Sequence, residues 1–391
     1  MTLDLDNVVP FLIERGLVDL PAVVDEGLRI VDASRRNRNL KVLRRSGEGV
    51  ILKQPHEAEP RGAETFAREA AIYRFFWRDP RGAPMRAVVP RLLGDGDGGS
   101  IAAGGSPPTT VLTLELVARA VSFGERLGRD GADRPGGPCD RLGRALAALH
   151  GLPPDDPAFA WPHRRPWALD LHRPTPDALD RISGANLLLV KIVQRDVVLA
   201  AGLDRLRAEW SPRAIVHGDA KGDNVLVVDP AGEDGSADVR ICDWELADVG
   251  DPCWDVGTVL AELLLAWVRS MPLRAAADPE QAIEGAATPL ERVKPGARRF
   301  WEGYAEASRG GPAACPVPLL HAVRYAAARL LQAAFEASQD DPSLSSFAVV
   351  ATQLAANVMA DPAAAAHLLL GLDPVTVATP PPDRRESPSP P

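Results

Sequence analysis

The sequence predicts an α+β chain in two parts, a small antiparallel β-sheet with one helix followed by a larger, mainly helical part. Short apolar runs separated by turn residues occupy positions 1–117, and one amphipathic helix lies among them. Helical periodicity dominates positions 118–372. The Pro-rich stretch at 373–391 has too few apolar residues to fold and is expected to be a disordered tail. We therefore expect two folded regions and a tail.

The N-terminal sheet is predicted from alternating apolar residues. LKVLRR at 40–45 and VILKQ at 50–54 flank the turn SGEG, so they read as a β-hairpin. LRIVDA at 28–33 reads as the preceding strand. Two further strands are expected at 88–95 and 110–117. A flexible turn is expected between them, at 95–108.

A helix is predicted at 63–77, and its polar residues are informative. Glu69 shares one face with Phe66 and Tyr73, which lie three residues before it and four after. A carboxylate on an apolar stripe is costly unless it is paired. Lys53 ends the strand VILK and could supply the partner. The alternative is that both side chains lie at the surface.

The remaining chain contains a second group of strands and many helices. AIVHGD, NVLVVD and DVRICD read as strands, with a turn at 230–237 before the last of them. Helices are predicted at 141–151, 185–208, 255–270, 290–308, 317–338, 345–359 and 363–370. The hairpin formed by NVLVVD and DVRICD would therefore lie among helices.

Bulk composition excludes several classes of protein. A net charge of −9 and a sequence pI near 5.4 argue against nucleic acid and anionic membranes as partners. Four scattered cysteines form no zinc pattern and no disulfide framework, which indicates a cytoplasmic setting. The N-terminal residues lack the features of a signal peptide. The apolar run at 259–268 is too short to span a bilayer and contains Glu262.

Charged and amide side chains cluster around the loop HGDAKGDN at 217–224. Asp219 follows one strand, Asn224 opens the next, and Asp243 ends the strand that returns. If the hairpin closes, the three side chains meet. Carboxylate and amide oxygens suit Mg²⁺, whereas zinc would need more nitrogen or sulfur ligands than His217 supplies. The combination of a held lysine, a metal pair and one more aspartate is what phosphoryl transfer requires.

These segments resemble a known family. HGDAKGDN matches the H-G-D-x4-N catalytic motif of aminoglycoside phosphotransferases and related choline-kinase-like enzymes. CDWELADVGDPCWDVG at 242–257 matches their metal-binding segment, and LGRALAALH is typical of the helix before the catalytic loop. The resemblance covers positions 25–270 and implies a bilobal, protein-kinase-like fold that uses ATP and Mg²⁺.

The resemblance also implies roles for the matching residues. Asp219 would be the catalytic base, while Asn224 and Asp243 would bind Mg²⁺. Lys53 would contact the α- and β-phosphates of ATP, held in place by Glu69.

Further roles follow from the same resemblance. Lys221 would reach the γ-phosphate, and the backbone of Glu115 and Val117 would hydrogen-bond adenine between the lobes. His217 would support the catalytic loop. Asp251 and Asp255 would be structural, one bracing that loop and one capping the helix that follows.

The loop expected over the phosphates departs from the protein-kinase pattern. SRRNRN at 34–39 contains no glycine, so G-x-G-x-x-G is absent. Ser34, Asn37 and their backbone would cover the phosphates instead. The three arginines of this loop would add positive charge or lie in solvent: Arg35, Arg36 and Arg38.

Two kinds of hydroxyl acceptor stay open. SRRNRNLKV, LKQ and HGDAKGDN are similar to kinases of class V lanthipeptide and thioamitide pathways, which phosphorylate Ser or Thr of a precursor peptide before a partner lyase removes the phosphate. The alternative is a small-molecule antibiotic, an aminoglycoside or a macrolide. A cationic acceptor would need an acidic pocket, for which Glu262, Glu284 and Glu302 are candidates. A catalytically dead pseudokinase and a metal-dependent phosphatase are less consistent with the motifs.

Overall fold

The computed structural model describes residues 2–34, 37–55, 62–96, 111–130, 136–155, 159–228, 237–276, 278–308 and 317–373. Arg35, Arg36, most of the turn predicted at 95–108, nearly all of the turn at 230–237 and the tail beyond residue 373 lie outside these ranges. The two-part α+β architecture predicted from the sequence is confirmed: a small antiparallel sheet precedes a mainly helical lobe.

The N-terminal sheet has five antiparallel strands in the order β1-β2-β3-β5-β4. Their bounds are β1 Leu28–Asp32, β2 Arg38–Arg44, β3 Gly49–Gln54, β4 Leu92–Gly94 and β5 Leu112–Glu115. The predicted hairpin is present, and Gly47 in its turn has a φ of 90°, which favours glycine. The strand predicted at 88–95 is shorter because Pro90 has no N–H to donate to a ladder.

The two faces of this sheet pack against different helices. Helix α1 (Val8–Glu14), which the sequence left unassigned, forms a small apolar cluster with alternate residues of the central strands, such as Leu40 and Leu52. Helix α2 (Gly62–Arg78) belongs to the main core instead. Because successive strand residues point to opposite faces, Lys53 is on the face away from α1 and meets α2.

The C-terminal lobe is built from helices around two small sheets. Strands β6 (Ala120–Ser122), β8 (Val225–Val228) and β9 (Asp238–Ile241) form one antiparallel sheet. Strands β7 (Ala214–Val216) and β10 (Asp248–Gly250) form the other. The helices are α3 Phe123–Asp130, α4 Pro138–His150, α5 Pro176–Leu179, α6 Gly184–Arg195, α7 Val197–Glu209, α8 Pro252–Arg269, α9 Pro279–Glu284, α10 Leu290–Ala307, α11 Leu319–Glu336, α12 Ser346–Ala360 and α13 Pro362–Leu370.

One helix prediction is wrong. The segment 185–208 is two helices, because Asp196 leaves the helical conformation and its side chain accepts hydrogen bonds from the backbone N–H groups of Val198 and Leu199. This aspartate is the N-cap of α7.

Helix α8 is the centre of the large lobe. It is buried at every position from Pro252 to Val268, and α11 packs along it. The described part of the chain contains no helix with both the length and the apolar character needed to cross a membrane.

Candidate active site

The lysine and glutamate predicted to pair are in contact. Glu69 is fully buried on the apolar face of α2, beside Phe66 and Tyr73. The Lys53 ammonium donates to Glu69 Oε1 at 2.6 Å. The alternative, that both side chains lie at the surface, is excluded by their burial.

The same ammonium reaches the other lobe. Asp243, two residues after the end of β9, accepts from Lys53 Nζ at 2.9 Å. Asp243 has a φ of 64°, in the left-handed region that non-glycine residues seldom adopt. Such strained backbone is common where a side chain must be aimed at a functional site. Lys53 therefore joins a carboxylate from each lobe.

The electrostatics of this triad follow from burial and close charges. Burial lowers the pKa of Lys53, but the carboxylates of Glu69 and Asp243 outweigh it and hold that pKa above its usual range. Burial raises the pKa of Glu69 to about 7, against the lowering by Lys53. For Asp243 the lysine outweighs burial, and its pKa is lowered. The lysine thus remains charged.

The loop after β7 assembles a second group around Asp219. Gly218 has a φ of 79° and turns the chain there. Asp219 Oδ2 accepts from Asn224 Nδ2 at 3.1 Å and lies 2.9 Å from Lys221 Nζ. The Asn224 amide also donates to the Asp219 carbonyl at 2.9 Å. Burial lowers the pKa of Lys221, but Asp219 and Glu336 outweigh it and raise that pKa.

Pairing of β8 with β9 brings the two groups together. Cys242 N donates to Asn224 O at 2.8 Å, so Asn224 and Asp243 lie at the same end of the hairpin. Asn224 contacts Asp219, and Asp243 contacts Lys53. The end of the hairpin therefore links the Asp219 group to the Lys53 group.

A buried aspartate fixes the loop that carries these side chains. Asp255, on α8, accepts from the backbone N–H groups of His217 and Gly218 at 2.7 and 2.9 Å. His217 Nε2 contacts the Cys242 carbonyl at 2.9 Å, so its ring ties the loop to β9. Asp251 caps α8 by accepting from Cys253 N at 3.0 Å. Helix α8 begins at Pro252, three residues before the start predicted at 255.

The residues predicted to contact the nucleotide make hydrogen bonds within the protein. Ser34 Oγ accepts from Asn39 N at 3.1 Å, within its own loop. Asn37 Nδ2 donates to Glu245 Oε2 at 3.1 Å, across the lobes. The Glu115 N–H donates to the Arg91 carbonyl and is not available to a base, so a contact with adenine there would use the Glu115 carbonyl.

Val117 follows Glu115 in the segment that leads to the second lobe, where it is half-buried. Its bond to adenine stays a prediction.

The three glutamates considered for an acidic pocket do not converge. Glu284 and Glu302 are exposed on α9 and α10, and Glu302 pairs with Arg299 on its own helix. Of the three, Glu262 lies near the loop 217–224, where its Oε2 is 3.1 Å from the position that a Cβ on Gly222 would take.

Arg329 lies beside Asp219 and was not predicted from the sequence. This residue of α11 is 1 % exposed, and its Nη1 lies 3.6 Å from Asp219 Oδ1. A signal was present: Arg329 shares an apolar face with Tyr325 and Ala333, four residues before and after it, and both are buried. Like Glu69, this arginine is a charged residue on an apolar stripe, which is costly unless the charge is paired.

Three side chains that could hold a metal ion lie close together at the start of α8 and on α11. Asp251, Cys253 and His321 bring one donor atom each within 4.8 Å of one another. The Arg213 guanidinium lies 3.9 Å from Asp251 Oδ1, and such a positive neighbour disfavours a cation there.

A lysine–glutamate pair in a sheet lobe, facing an Asp–Asn–Asp group in a helical lobe, defines the class of bilobal phosphotransferases. The model of the phosphotransferase enzyme family (APH) matches residues 28–301, and the chain belongs to that family. Members of the family transfer phosphate to hydroxyl groups, so this protein is a kinase with an alcohol group as acceptor.

The solved structures to which the chain is similar share little of its sequence. Macrolide 2'-phosphotransferase MphH from Brachybacterium faecium is 16% identical, with a TM-score of 0.40, and the match covers 89% of this chain and 97% of that one. Choline kinase from Cryptosporidium parvum Iowa II is 10% identical, with a TM-score of 0.47, over 94% and 99% of the two chains. Choline kinase LicA from Streptococcus pneumoniae is 12% identical, with a TM-score of 0.41, over 90% and 99%. A search of curated proteins found no match.

Proposed function

We propose that the chain transfers the γ-phosphate of ATP to a hydroxyl group with the aid of Mg²⁺. One observation carries this proposal: Lys53 contacts Glu69 of one lobe and Asp243 of the other, next to the Asp219–Asn224 pair. This is the set of charges that a transferring phosphoryl group needs, at the junction where the two lobes meet.

Asp219 is proposed as the base that accepts the hydroxyl proton. Its Oδ2 is held by Asn224 and Lys221, whereas Oδ1 is buried with no hydrogen-bond partner among the described residues. A carboxylate with one fixed oxygen and one oxygen that makes no hydrogen bond suits proton acceptance from an oriented alcohol. Lys221 is proposed to bind the γ-phosphate, since its ammonium already lies against the base.

Asn224 and Asp243 are proposed as the metal ligands. Their donors are an amide oxygen and a carboxylate that is 42% exposed, a hard oxygen set that fits Mg²⁺ and its retained waters. The ion would supply charge neutralisation to the phosphates.

Four more residues are proposed to hold the nucleotide. Lys53, kept charged by its two carboxylates, would bind the α- and β-phosphates. Ser34 would lie above the phosphates in the loop between β1 and β2, and Glu115 and Val117 would present backbone groups to adenine.

The finer proposal concerns the acceptor. We favour Ser or Thr of a ribosomally made precursor peptide, with a partner lyase acting afterwards, over a polycationic antibiotic. The support comes from the three glutamates considered for an acidic pocket: Glu284 and Glu302 are exposed on α9 and α10, and Glu262 already faces Arg269 at 3.3 Å. Glu262 itself is the observation that favours the second candidate, an aminoglycoside or a macrolide. ATP dependence and the absence of a disulfide among the described cysteines support a cytoplasmic setting.

A two-panel assay tests both levels of this proposal. The protein is incubated with ATP and Mg²⁺ and either Ser/Thr-rich precursor peptides or aminoglycosides and macrolides, and mass spectrometry detects a gain of phosphate. We expect phosphopeptide from the wild type, none from Asp219→Asn, and wild-type yield from the exposed neighbour variant Asp223→Asn. Phosphorylated antibiotic alone would replace the peptide with the second candidate. A chain that neither binds nor consumes ATP would refute phosphotransfer altogether.

A further inference from the structure

Arg329 is an unusual buried charge. Arg329 is 1 % exposed, yet its Nε and Nη1 atoms have no hydrogen-bond partner within the described part of the chain. Three carboxylates surround it at distances too long for direct bonds: Asp219 at 3.6 Å, Glu262 at 3.9 Å and Glu336 at 3.9 Å. A buried guanidinium normally satisfies its donors, so this one has capacity for a further oxygen atom.

The unused atoms face one another. Arg329 Nη1 and Asp219 Oδ1 lie 3.6 Å apart, and both are buried without a hydrogen-bond partner among the residues described. An alcohol oxygen can touch both, because it donates its proton to a carboxylate and accepts from an N–H. Arg329 Nε and, one turn further along α11, Gln332 Oε1 are likewise unused.

We propose that Arg329 is an acceptor-binding residue that holds the reacting hydroxyl against Asp219. This inference rests on the proposed function, since it assigns the acceptor side of the same cleft. The alcohol oxygen accepts from Arg329 Nη1 while its proton points at Asp219 Oδ1. Arg329 Nε binds a second oxygen of the acceptor. As the oxygen bonds to the γ-phosphorus, the proton passes to Asp219 and ADP leaves with the electron pair of the broken P–O bond.

The charges nearby define the class of acceptor. Each carboxylate at the site already has a partner: Asp219 has Lys221 at 2.9 Å, Glu262 has Arg269 at 3.3 Å, and Glu336 accepts from Gln332 at 2.8 Å. Among the described residues each of these carboxylates already faces a cation, which for Glu336 is Arg329 itself, and Arg329 would repel an incoming ammonium. The acceptor is therefore an alcohol flanked by carbonyl, hydroxyl or carboxylate oxygens, as in a Ser or Thr residue of a peptide.

The test uses three alcohols and four forms of the full-length protein. N-acetylserine methylamide, N-acetylserine and kanamycin represent neutral, anionic and polycationic acceptors. Transfer from radiolabelled ATP is measured for the wild type, Arg329→Met, Arg329→Lys and Arg324→Met, the last being a half-buried arginine on the same helix. ATP hydrolysis without acceptor, ATP affinity and thermal unfolding are measured in parallel.

We expect at least tenfold faster transfer to the neutral or anionic alcohol than to kanamycin. Arg329→Met should lose about 100-fold in transfer, the scale of removing one oriented donor, with ATP affinity unchanged. Arg329→Lys keeps the charge and the fold but loses the planar fork, so its acceptor KM should rise about tenfold. Arg324→Met should match the wild type.

The possible failures are distinguishable. Preference for kanamycin, or full transfer by both Arg329 variants, overturns the role of Arg329 and leaves phosphotransfer standing. If none of the three alcohols is phosphorylated, the rates of ATP hydrolysis, in which water is the acceptor, are compared between the wild type and Arg329→Lys. An unchanged rate of hydrolysis in a folded Arg329→Lys protein also overturns the role of Arg329. A wild-type protein that neither binds nor hydrolyses ATP overturns the proposed function, and this inference with it.

Discussion

The two sides of the cleft differ in how their charges are satisfied. On the side proposed for the nucleotide, Lys53 bonds directly to Glu69 and Asp243 at 2.6 and 2.9 Å. On the side proposed for the acceptor, Asp219 Oδ1 and Arg329 Nη1 are 3.6 Å apart and unbonded among the described residues. The first is pre-organised by protein contacts, and the second keeps capacity for a ligand, so variants on the two sides should affect different kinetic parameters.

The largest effect should come from the acceptor side. Asp219→Asn removes the proposed base while keeping the size and shape of the side chain, so phosphate transfer should fall by roughly 10²–10⁴-fold, the usual contribution of general base catalysis. Nucleotide affinity should persist, because Lys53 and Glu69 are untouched. Isothermal titration with ATP and a transfer assay check the two statements, and full turnover by this variant would contradict the role of Asp219.

A smaller loss of phosphate transfer, accompanied by weaker use of ATP, is expected from variants on the side proposed for the nucleotide. Lys53→Ala leaves Glu69 and Asp243 without their shared cation, so the KM for ATP should rise and transfer should fall about 100-fold. The exposed Lys191→Ala on α6 is the control for loss of a positive charge. An unchanged KM for ATP in Lys53→Ala would show that a different residue holds the phosphates.

The pH dependence should also separate the two sides. The pKa of Glu69 is raised to about 7 by burial, against the lowering by Lys53, so this carboxyl gains a proton as the pH falls through 7. A neutral Glu69 no longer pairs electrostatically with Lys53, and at one pH unit below 7 the ionised fraction is about a tenth. Use of ATP by the wild type should therefore fall about tenfold from pH 8 to pH 6, whereas Glu69→Gln should be slow and flat across that range. Parallel profiles for the two proteins would show that Glu69 does not set the dependence.

The smallest effect concerns a bond between the lobes. Asn37 Nδ2 donates to Glu245 Oε2 at 3.1 Å, and one such hydrogen bond contributes about 1 kcal/mol, or roughly fivefold in an equilibrium. Asn37→Ala and Glu245→Ala should each weaken ATP affinity by that factor, and the double variant should weaken it no further. Additive losses in this cycle would mean that the two side chains act separately.

The two sides also differ in how well their residues could be predicted from the sequence. Asp219, Asn224 and Asp243 belong to two short motifs, and the hairpin between them brings the motifs together, so local sequence was sufficient. Lys53 and Glu69 were recognisable because a glutamate interrupts an apolar stripe.

Arg329 lies more than 100 residues from Asp219 in the sequence and belongs to no motif, so only the packing of α11 against α8 brings it to the site. The break at Asp196 was missed for a related reason, since an aspartate within a helical pattern becomes a cap only when the following helix turns away. Residues that belong to short motifs could therefore be predicted from the sequence, whereas the position of Arg329 depends on tertiary packing.

The most direct test of the account is the position of a divalent ion. Crystals grown with ADP and Mn²⁺, a stand-in for Mg²⁺ that is visible by anomalous scattering, should show a peak against the oxygens of Asn224 and Asp243, with the nucleotide phosphates beside Lys53. A peak at Asp251, Cys253 and His321 instead, or nucleotide bound away from Lys53, would contradict the assignment of this cleft as the phosphotransfer site.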